Sequence, residues 1–288
     1  MATTLDRPGT ADLDEALSAL RGWQQDGTAL QLHPGDVGWR VRIGADAATA
    51  DLRTWRREGT VVALGMLDGR VLRLALDPAV WRDEPLARRI VADLAEPGSG
   101  VLPAGEASLE SPNGSAIHDL ALANGWDAGE SWTPLRRDLS AEVEEPGVRV
   151  EAVGPERVSV RTAVHRASFP GSTFGDNAWR TMAAGSAYAD ARCLVAFDDD
   201  GAAVAAATVW SAGPGRPGLL EPVGTHQDHR GHGYGRAISV AAARTLQELG
   251  SSSAIVCTPT ANEAAVATYR AAGFVPEELR LDATRRAH

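Results

Sequence analysis

The residues best suited to chemistry lie in one stretch, Glu221-Pro-Val-Gly-Thr-His-Gln-Asp-His-Arg230-Gly-His-Gly-Tyr-Gly235-Arg236. Gly231, Gly233 and Gly235 alternate through it and leave the backbone without Cβ atoms where a phosphate must come close. A strand-like run, Leu219 to Thr225, precedes the glycines, and an Ala-rich helical pattern, Arg236 to Leu249, follows them. The first amides of such a helix have no partner inside it, and the helix dipole favours an anion at that end. Arg230 and Arg236 add guanidinium groups that match phosphate oxygens. The stretch therefore reads as a pyrophosphate cradle.

A dinucleotide fingerprint needs a third small residue after G-x-G and an acidic residue about twenty positions on. Here Arg236 follows the glycines and the next strand opens Ser-Ser-Ser-Ala, so a Rossmann site is excluded on both counts. His226, His229 and His232 recur every third residue, but in a glycine-rich turn, and no cysteine or second carboxylate completes a metal set; no metal is expected. The chain contains no lysine, which removes a Walker loop, a Schiff-base lysine and a catalytic lysine together. Genomic bias toward arginine codons accounts for the composition itself. Cys193 and Cys257, each set among apolar residues, read as buried free thiols.

A formal net charge of −10 disfavours a nucleic-acid partner. No apolar run reaches the length of a membrane span, and the N-terminal residues show no leader pattern, so the expected location is the cytoplasm. At 288 residues the chain has room for two domains. The acidic segment from Asp138 to Gly147, ending in Pro-Gly, is the expected linker, giving domains at 1–140 and 148–288 around a 141–147 connection.

Periodicity supplies the elements that position the cradle. Val148 to Val153 alternates as a strand, Val158 to Phe169 and Asn177 to Ala184 have helical spacing, and Cys193 to Phe197 and Ala203 to Trp210 form a hairpin across Asp198-Asp-Asp-Gly201. After the strand and helix around the glycines come a strand, Ser253 to Thr258, a helix, Ala264 to Ala272, and a last strand near Leu279. The order is β-α-α-β-β-β-α-β-α-β. The N-terminal half repeats part of this plan: a hairpin over Val61 to Leu76, a helix over Leu86 to Leu94, and Asn113 through Gly125-Trp126 answering Asn262 through Gly273-Phe274. An internal duplication is the better reading.

Arg230-x-x-Gly233-x-Gly235 after Val223-Gly-Thr resembles motif A of the GNAT superfamily of N-acetyltransferases, and Asn262 with Tyr269-x-x-x-Gly273-Phe274 resembles a second signature of that family. The resemblance covers the chain from about Val148 onward. It implies an α/β fold of two GNAT-like domains, each a mostly antiparallel mixed sheet flanked by helices. It also implies acetyl-CoA as acyl donor, bound by Val223, Gly224, Thr225, Arg230, Gly231, His232, Gly233, Tyr234, Gly235, Arg236 and Asn262. Tyr269 would be the general acid at the departing sulfur; a core tyrosine before the Gly-Phe turn is the alternative. Glu221, two residues before Val223 and on the same face of an unbroken strand, would accept the amine proton, with His226 or solvent in reserve.

The expected activity is transfer of an acetyl group to an amine of a small molecule or peptide by direct attack in a ternary complex, and a homodimer is allowed. Trp210, Phe169, Phe174 and Trp179 are candidates for the acceptor pocket or for core. In the first half, Leu76 to Pro85 holds no glycine and three acidic residues, and Ala121 stands where Tyr269 does, so that copy is expected to have lost its cofactor. Two rivals are a relative of mycothiol synthase, acting on a cysteinyl sugar, and an acyl-CoA-binding sensor without transfer activity.

Overall fold

The computed structural model describes residues 2–286. The first half runs β1 (Thr3–Asp6), α1 (Leu13–Trp23), α2 (Pro34–Arg40), α3 (Ala45–Ala50), β2 (Leu52–Arg57), β3 (Thr60–Asp68), β4 (Val71–Leu76), α4 (Glu84–Ala95), β5 (Ala107–Glu110), α5 (Ala116–Ala123) and β6 (Asp127–Asp138). The second runs β7 (Arg149–Ala152), α6 (Val158–Ser168), α7 (Asp176–Ala183), β8 (Ala191–Phe197), β9 (Ala203–Trp210), β10 (Gly218–Thr225), α8 (Tyr234–Glu248), β11 (Ser253–Pro259), α9 (Glu263–Ala271), β12 (Val275–Pro276) and β13 (Arg280–Arg285). From β7 to α9 the elements follow the expected order. Periodicity did not foretell α1 to α3, β1 or β2. In α2, Pro34-Gly-Asp-Val-Gly-Trp-Arg40 has no apolar stripe, and it forms because Gly35 and Gly38 admit the Trp210 ring: a Cβ on either would lie within 2.6 Å of that side chain.

Two compact units result. Unit one takes the described residues of Met1–His33, Ala45–Thr133 and Glu278–His288; unit two takes Pro34–Gly44 and Pro134–Glu277. In unit one the strand order is β1-β2-β3-β4-β5-β13-β6, antiparallel except for β4 beside β5. In unit two it is β7-β8-β9-β10-β11-β6 with β12 on β6, where β10 and β11 are a parallel pair. A parallel pair at the same place in each sheet, β4/β5 in one and β10/β11 in the other, with α4 and α8 following β4 and β10, repeats the architecture.

The helix ends repeat as well. The amides of Trp126 and Phe274 donate to the carbonyls of Ala121 and Tyr269, each at 3.1 Å, and Gly125 and Gly273 both take the left-handed conformation at φ 88° and 81°. That is the Gly-aromatic helix stop read in the sequence, formed twice. Each unit has its own apolar core: Trp55, Leu72, Leu74, Ile90, Leu109 and Trp126 are among the buried residues of unit one, and Leu194, Val209, Ile238, Leu246, Val256 and Phe274 of unit two.

The expected boundaries differ from this division in two places. Residues 138–147 are not a free linker: Leu139 and Val143 are buried in the core of unit two, and the Gln247 side chain on α8 donates to the carbonyls of Leu139 and Ala141. The last strand, expected in the C-terminal domain, lies instead between β5 and the first residues of β6 in unit one, while the last residues of β6 stand beside β11 in unit two. Buried polar pairing selects this place. Arg280 reaches Glu110 at 3.2 Å, Asp282 accepts from Trp132 Nε1 at 2.9 Å, and Ala283 joins the unit-one core.

Candidate active site

The cleft of unit two begins where two parallel strands separate. β10 pairs with β11 only at Gly218 and Leu219; beyond them a register shift between Leu220 and Val223 bulges the strand, and Val223 to Thr225 continue against β9 alone. A bulge turns a strand and frees the next residues from one neighbour. The space so opened is a cleft of about 670 Å³ between β10, the N-terminus of α8 and the face of α9. Val223, Gly224, Thr225, Arg230, Gly231, Gly233, Tyr234, Gly235, Arg236 and Asn262 all line it, as does Tyr269. His232 does not; its Nδ1 lies 2.9 Å from the carbonyl of Arg230, and its ring stacks on that of Tyr234.

The glycines divide by role. Gly231 and Gly233 have φ of 82° and 84°, a region that L side chains rarely adopt, and a Cβ on either would face open space. Gly233 begins α8, which has no side-chain cap and no acidic residue in its first turn, so its amide end faces the cleft unneutralised. Gly235 is different: a Cβ there would meet Thr268 at 3.0 Å and Thr225 at 3.2 Å, so it lets the helix approach its neighbours. Gly224 likewise makes room for the end of α6, since a Cβ would lie 2.6 Å from Ser168 and 2.8 Å from Phe169.

The polar side chains are held from within the protein. Arg230 donates to the carbonyl of Ser168 at 3.0 Å and lines the cleft. Arg236 is less available than the sequence suggested, because it donates to Ala271 and pairs with Glu144 at 3.3 Å. Asn262 caps α9 by accepting from the amide of Ala265.

Tyr269 packs edge-on to Phe274 and is only 8% exposed. Burial, with the Glu221 carboxylate and the Cys257 thiol nearby, pushes its phenol above the ordinary tyrosine value, so the hydroxyl stays protonated in any ordinary buffer. Glu221 does not share an unbroken strand face with Val223, because the bulge falls between them. It is absent from the cleft lining, although its charge is felt at Tyr269, and its carbonyl accepts from Trp210 Nε1 at 2.7 Å. His226 caps the turn at Gln227–His229 through Nδ1, and His229 sits 3.9 Å from Asp198 with its ring edge-on to that of His226 at 5.2 Å. Among the described residues no group of three or more His, Cys, Asp or Glu can hold a metal ion. Cys193 is buried, but Cys257 is only half-buried, against the expectation of two buried thiols.

A second cavity of about 450 Å³ shares Phe169 with the cleft. Trp39, His165, Phe169 and Phe174 enclose it, with ring centroids 4.7 to 5.6 Å apart, and Arg42 and Pro222 complete the rim. Phe169 and Phe174 were among the candidates for such a pocket; Trp210 and Trp179 are core. Trp39, Arg42 and His165 were missed, and for Trp39 and Arg42 no local signal exists, since they enter unit two from a segment between residues of unit one.

Among the described residues of unit one the corresponding strand does not splay. β4 runs in register with β3 from Val71 to Leu76 without a bulge. Its free edge is filled by the chain itself: the amide of Leu32 donates to Leu74, and the amide of Leu76 donates to the Gln31 side chain. Asp83 caps α4 by accepting from Leu86, and the paired Arg57 guanidinium holds its carboxyl down at about 2. An anion is already built into that helix end.

The splayed strand and the uncapped helix N-terminus that follows it lie in the part of the chain that resembles a known family. Residues 162–274 match the model of the acetyltransferase (GNAT) family. The matched segment lies within unit two and is similar to that family. No curated protein matches the chain significantly in sequence.

Among solved structures, a tandem GNAT protein from the clavulanic acid biosynthesis pathway is similar over 100% of this chain and 99% of its own, at 18% identity and a TM-score of 0.63. An acetyltransferase of the GNAT family from Colwellia psychrerythraea covers 99% of both chains at 14% identity and a TM-score of 0.63. A GCN5-related N-acetyltransferase from Sphaerobacter thermophilus covers 98% of this chain and 95% of its own, at 18% identity and a TM-score of 0.59. At these identities the likeness is one of fold, and it fits two GNAT-like domains in one chain.

Proposed function

We propose that the protein transfers an acetyl group from acetyl-CoA to the amine of a small molecule, both bound at once to unit two. The observation that carries this reading is the cleft itself, in which a freed strand edge, an uncapped helix N-terminus and a protonated Tyr269 line one space. The bare turn at Gly231 and Gly233, with Arg230 beside it, suits a pyrophosphate. The edge of Val223 to Thr225 offers backbone groups to an extended amide-bearing arm.

The neutral amine attacks the thioester carbon, the C–S bond breaks, and the leaving thiolate takes the phenol proton of Tyr269. Burial disfavours the phenolate and equally raises the proton affinity of a thiolate released beside it, so a high phenol pKa suits this donor. The amine proton passes to water or, through water, to Glu221. Unit one, with its strand edge and helix end both filled, takes no part in cofactor binding.

Calorimetry with acetyl-CoA, followed by free-thiol detection during incubation with a panel of amines, tests the reading. Binding with amine-dependent release of coenzyme A is expected. Binding without release would favour a sensor, and no binding would remove the proposal.

A further inference from the structure

Beyond the transfer of acetyl to an amine, on which it rests for the reacting group, the second cavity restricts which amine. Its walls are the rings of Trp39, His165, Phe169 and Phe174, and Arg42 lies on its rim with its guanidinium 4.5 Å above the Trp39 ring centroid. Among the described residues lining it there is no carboxylate. Behind the ring of Phe174 lies Arg161, 1% exposed, whose Nη2 donates to Thr208 while Nε and Nη1 have no hydrogen-bond partner. The Nδ1 of His165 is likewise buried and without a partner.

Burial above all, and after it the guanidiniums of Arg161, Arg42 and Arg166, hold the His165 imidazole down at about 3, so the ring is neutral and the charge beside it is that of the arginines. Of the carboxylates on neighbouring elements, Asp176 at the start of α7 accepts from Thr162, Asp36 is buried on α2, and Glu221 precedes the rim residue Pro222. A buried cation with unsatisfied donors is costly unless something negative is brought near it.

We infer that this aromatic pocket takes a carboxylate-bearing molecule with a flat apolar body, and that the acceptor is accordingly a small amino acid-like amine. The apolar body packs between the rings and the carboxylate faces the arginines, which leaves the amine toward the cleft that shares Phe169. Polyamines and lysine-rich peptides meet positive charge there and are excluded.

Calorimetric titration of the full chain, saturated with coenzyme A, reads the pocket without requiring turnover. 3-Phenylpropanoate is expected to bind at least about tenfold more tightly than 3-phenylpropanamide. Arg42→Gln should abolish that preference, and Arg42→Lys should keep part of it, with melting temperatures confirming that both variants fold. Equal or tighter binding of the amide, binding of neither compound, or a preference that survives Arg42→Gln overturns the inference. In turnover, phenylalanine should exceed phenethylamine in kcat/KM by a similar factor, and the reverse order also overturns it. Preference for the carboxylate with no coenzyme A release from any amine would sustain the pocket inference and sink the transfer reading instead.

Discussion

Burial of the Tyr269 hydroxyl beside Glu221 and Cys257 separates its two possible roles, acid and core residue, by experiment. Tyr269→Phe keeps the ring and its edge contact with Phe274, so it should lower kcat about 10²-fold with little change in acetyl-CoA affinity or melting temperature. Because the phenol is held above its ordinary value, the wild-type rate should show no basic limb below about pH 10. Normal turnover in the Phe variant would leave Tyr269 a packing residue. Gly233 tests the cradle. A Val side chain there meets open space in the protein but must hold a left-handed backbone, at a cost of about 1–2 kcal/mol. Gly233→Val should weaken acetyl-CoA binding well beyond what its small loss of melting temperature explains, and unchanged affinity by calorimetry would remove the phosphate role. Both residues were legible because their types, glycine in a turn and tyrosine four before Gly-Phe, report local geometry. Glu221 was misplaced because a bulge is decided by pairing with β9, and alternation along the sequence does not show it.

The contrast between β10 and β4 explains at the level of elements why one copy opens and the other stays closed. Titration should give one acetyl-CoA per chain; a second site of comparable affinity would mean that Gln31 and Leu32 yield their place beside β4. Asp83 should matter for stability and not for catalysis. Its folded pKa lies below the unfolded value of 3.8, so the stabilisation from its cap and its Arg57 pair is complete above that value and fades as pH falls toward about 2. Asn can still cap the helix, so Asp83→Asn should cost about 0.5–1 kcal/mol in denaturant unfolding at pH 7 through the lost Arg57 pair and helix-dipole interaction, with a smaller difference near pH 2. An equal loss at both pH values would show that the charge is idle. The acidic character of this turn was visible in the sequence; that one carboxylate caps the helix and so fills its own anion site needed the coordinates.

For the molecule as a whole, β13 ties the C-terminal residues to the stability of unit one. Truncation after Glu277 should unfold that unit, seen as a lost near-ultraviolet tryptophan signal and a lowered Tm, since Ala283 leaves the core and Glu110 loses Arg280. A native signal from Trp55 and Trp126 would contradict this. Asp282 on the same strand is raised to about 6 by burial and by Glu110. Between 3.8 and about 6 the folded state binds more protons than the unfolded, so its burial costs stability increasingly as pH rises through that window. Asp282→Asn should therefore raise Tm at pH 8 and flatten its dependence between about pH 4 and 6; a uniform fall in Tm would assign Asp282 a purely structural role. The sequence alone determined the bare glycine turn before α8, the two Gly-aromatic helix stops and the element order from β7 to α9, because caps, turns and apolar periods are set by neighbours within a few residues. Only the tertiary structure decided that Pro34–Gly44 supplies Trp39 and Arg42 to a pocket in unit two and that the last strand completes unit one. Those placements depend on a close fit to Trp210 and on a buried ion pair and a tryptophan–carboxylate hydrogen bond between strands more than a hundred residues apart, which no local pattern encodes.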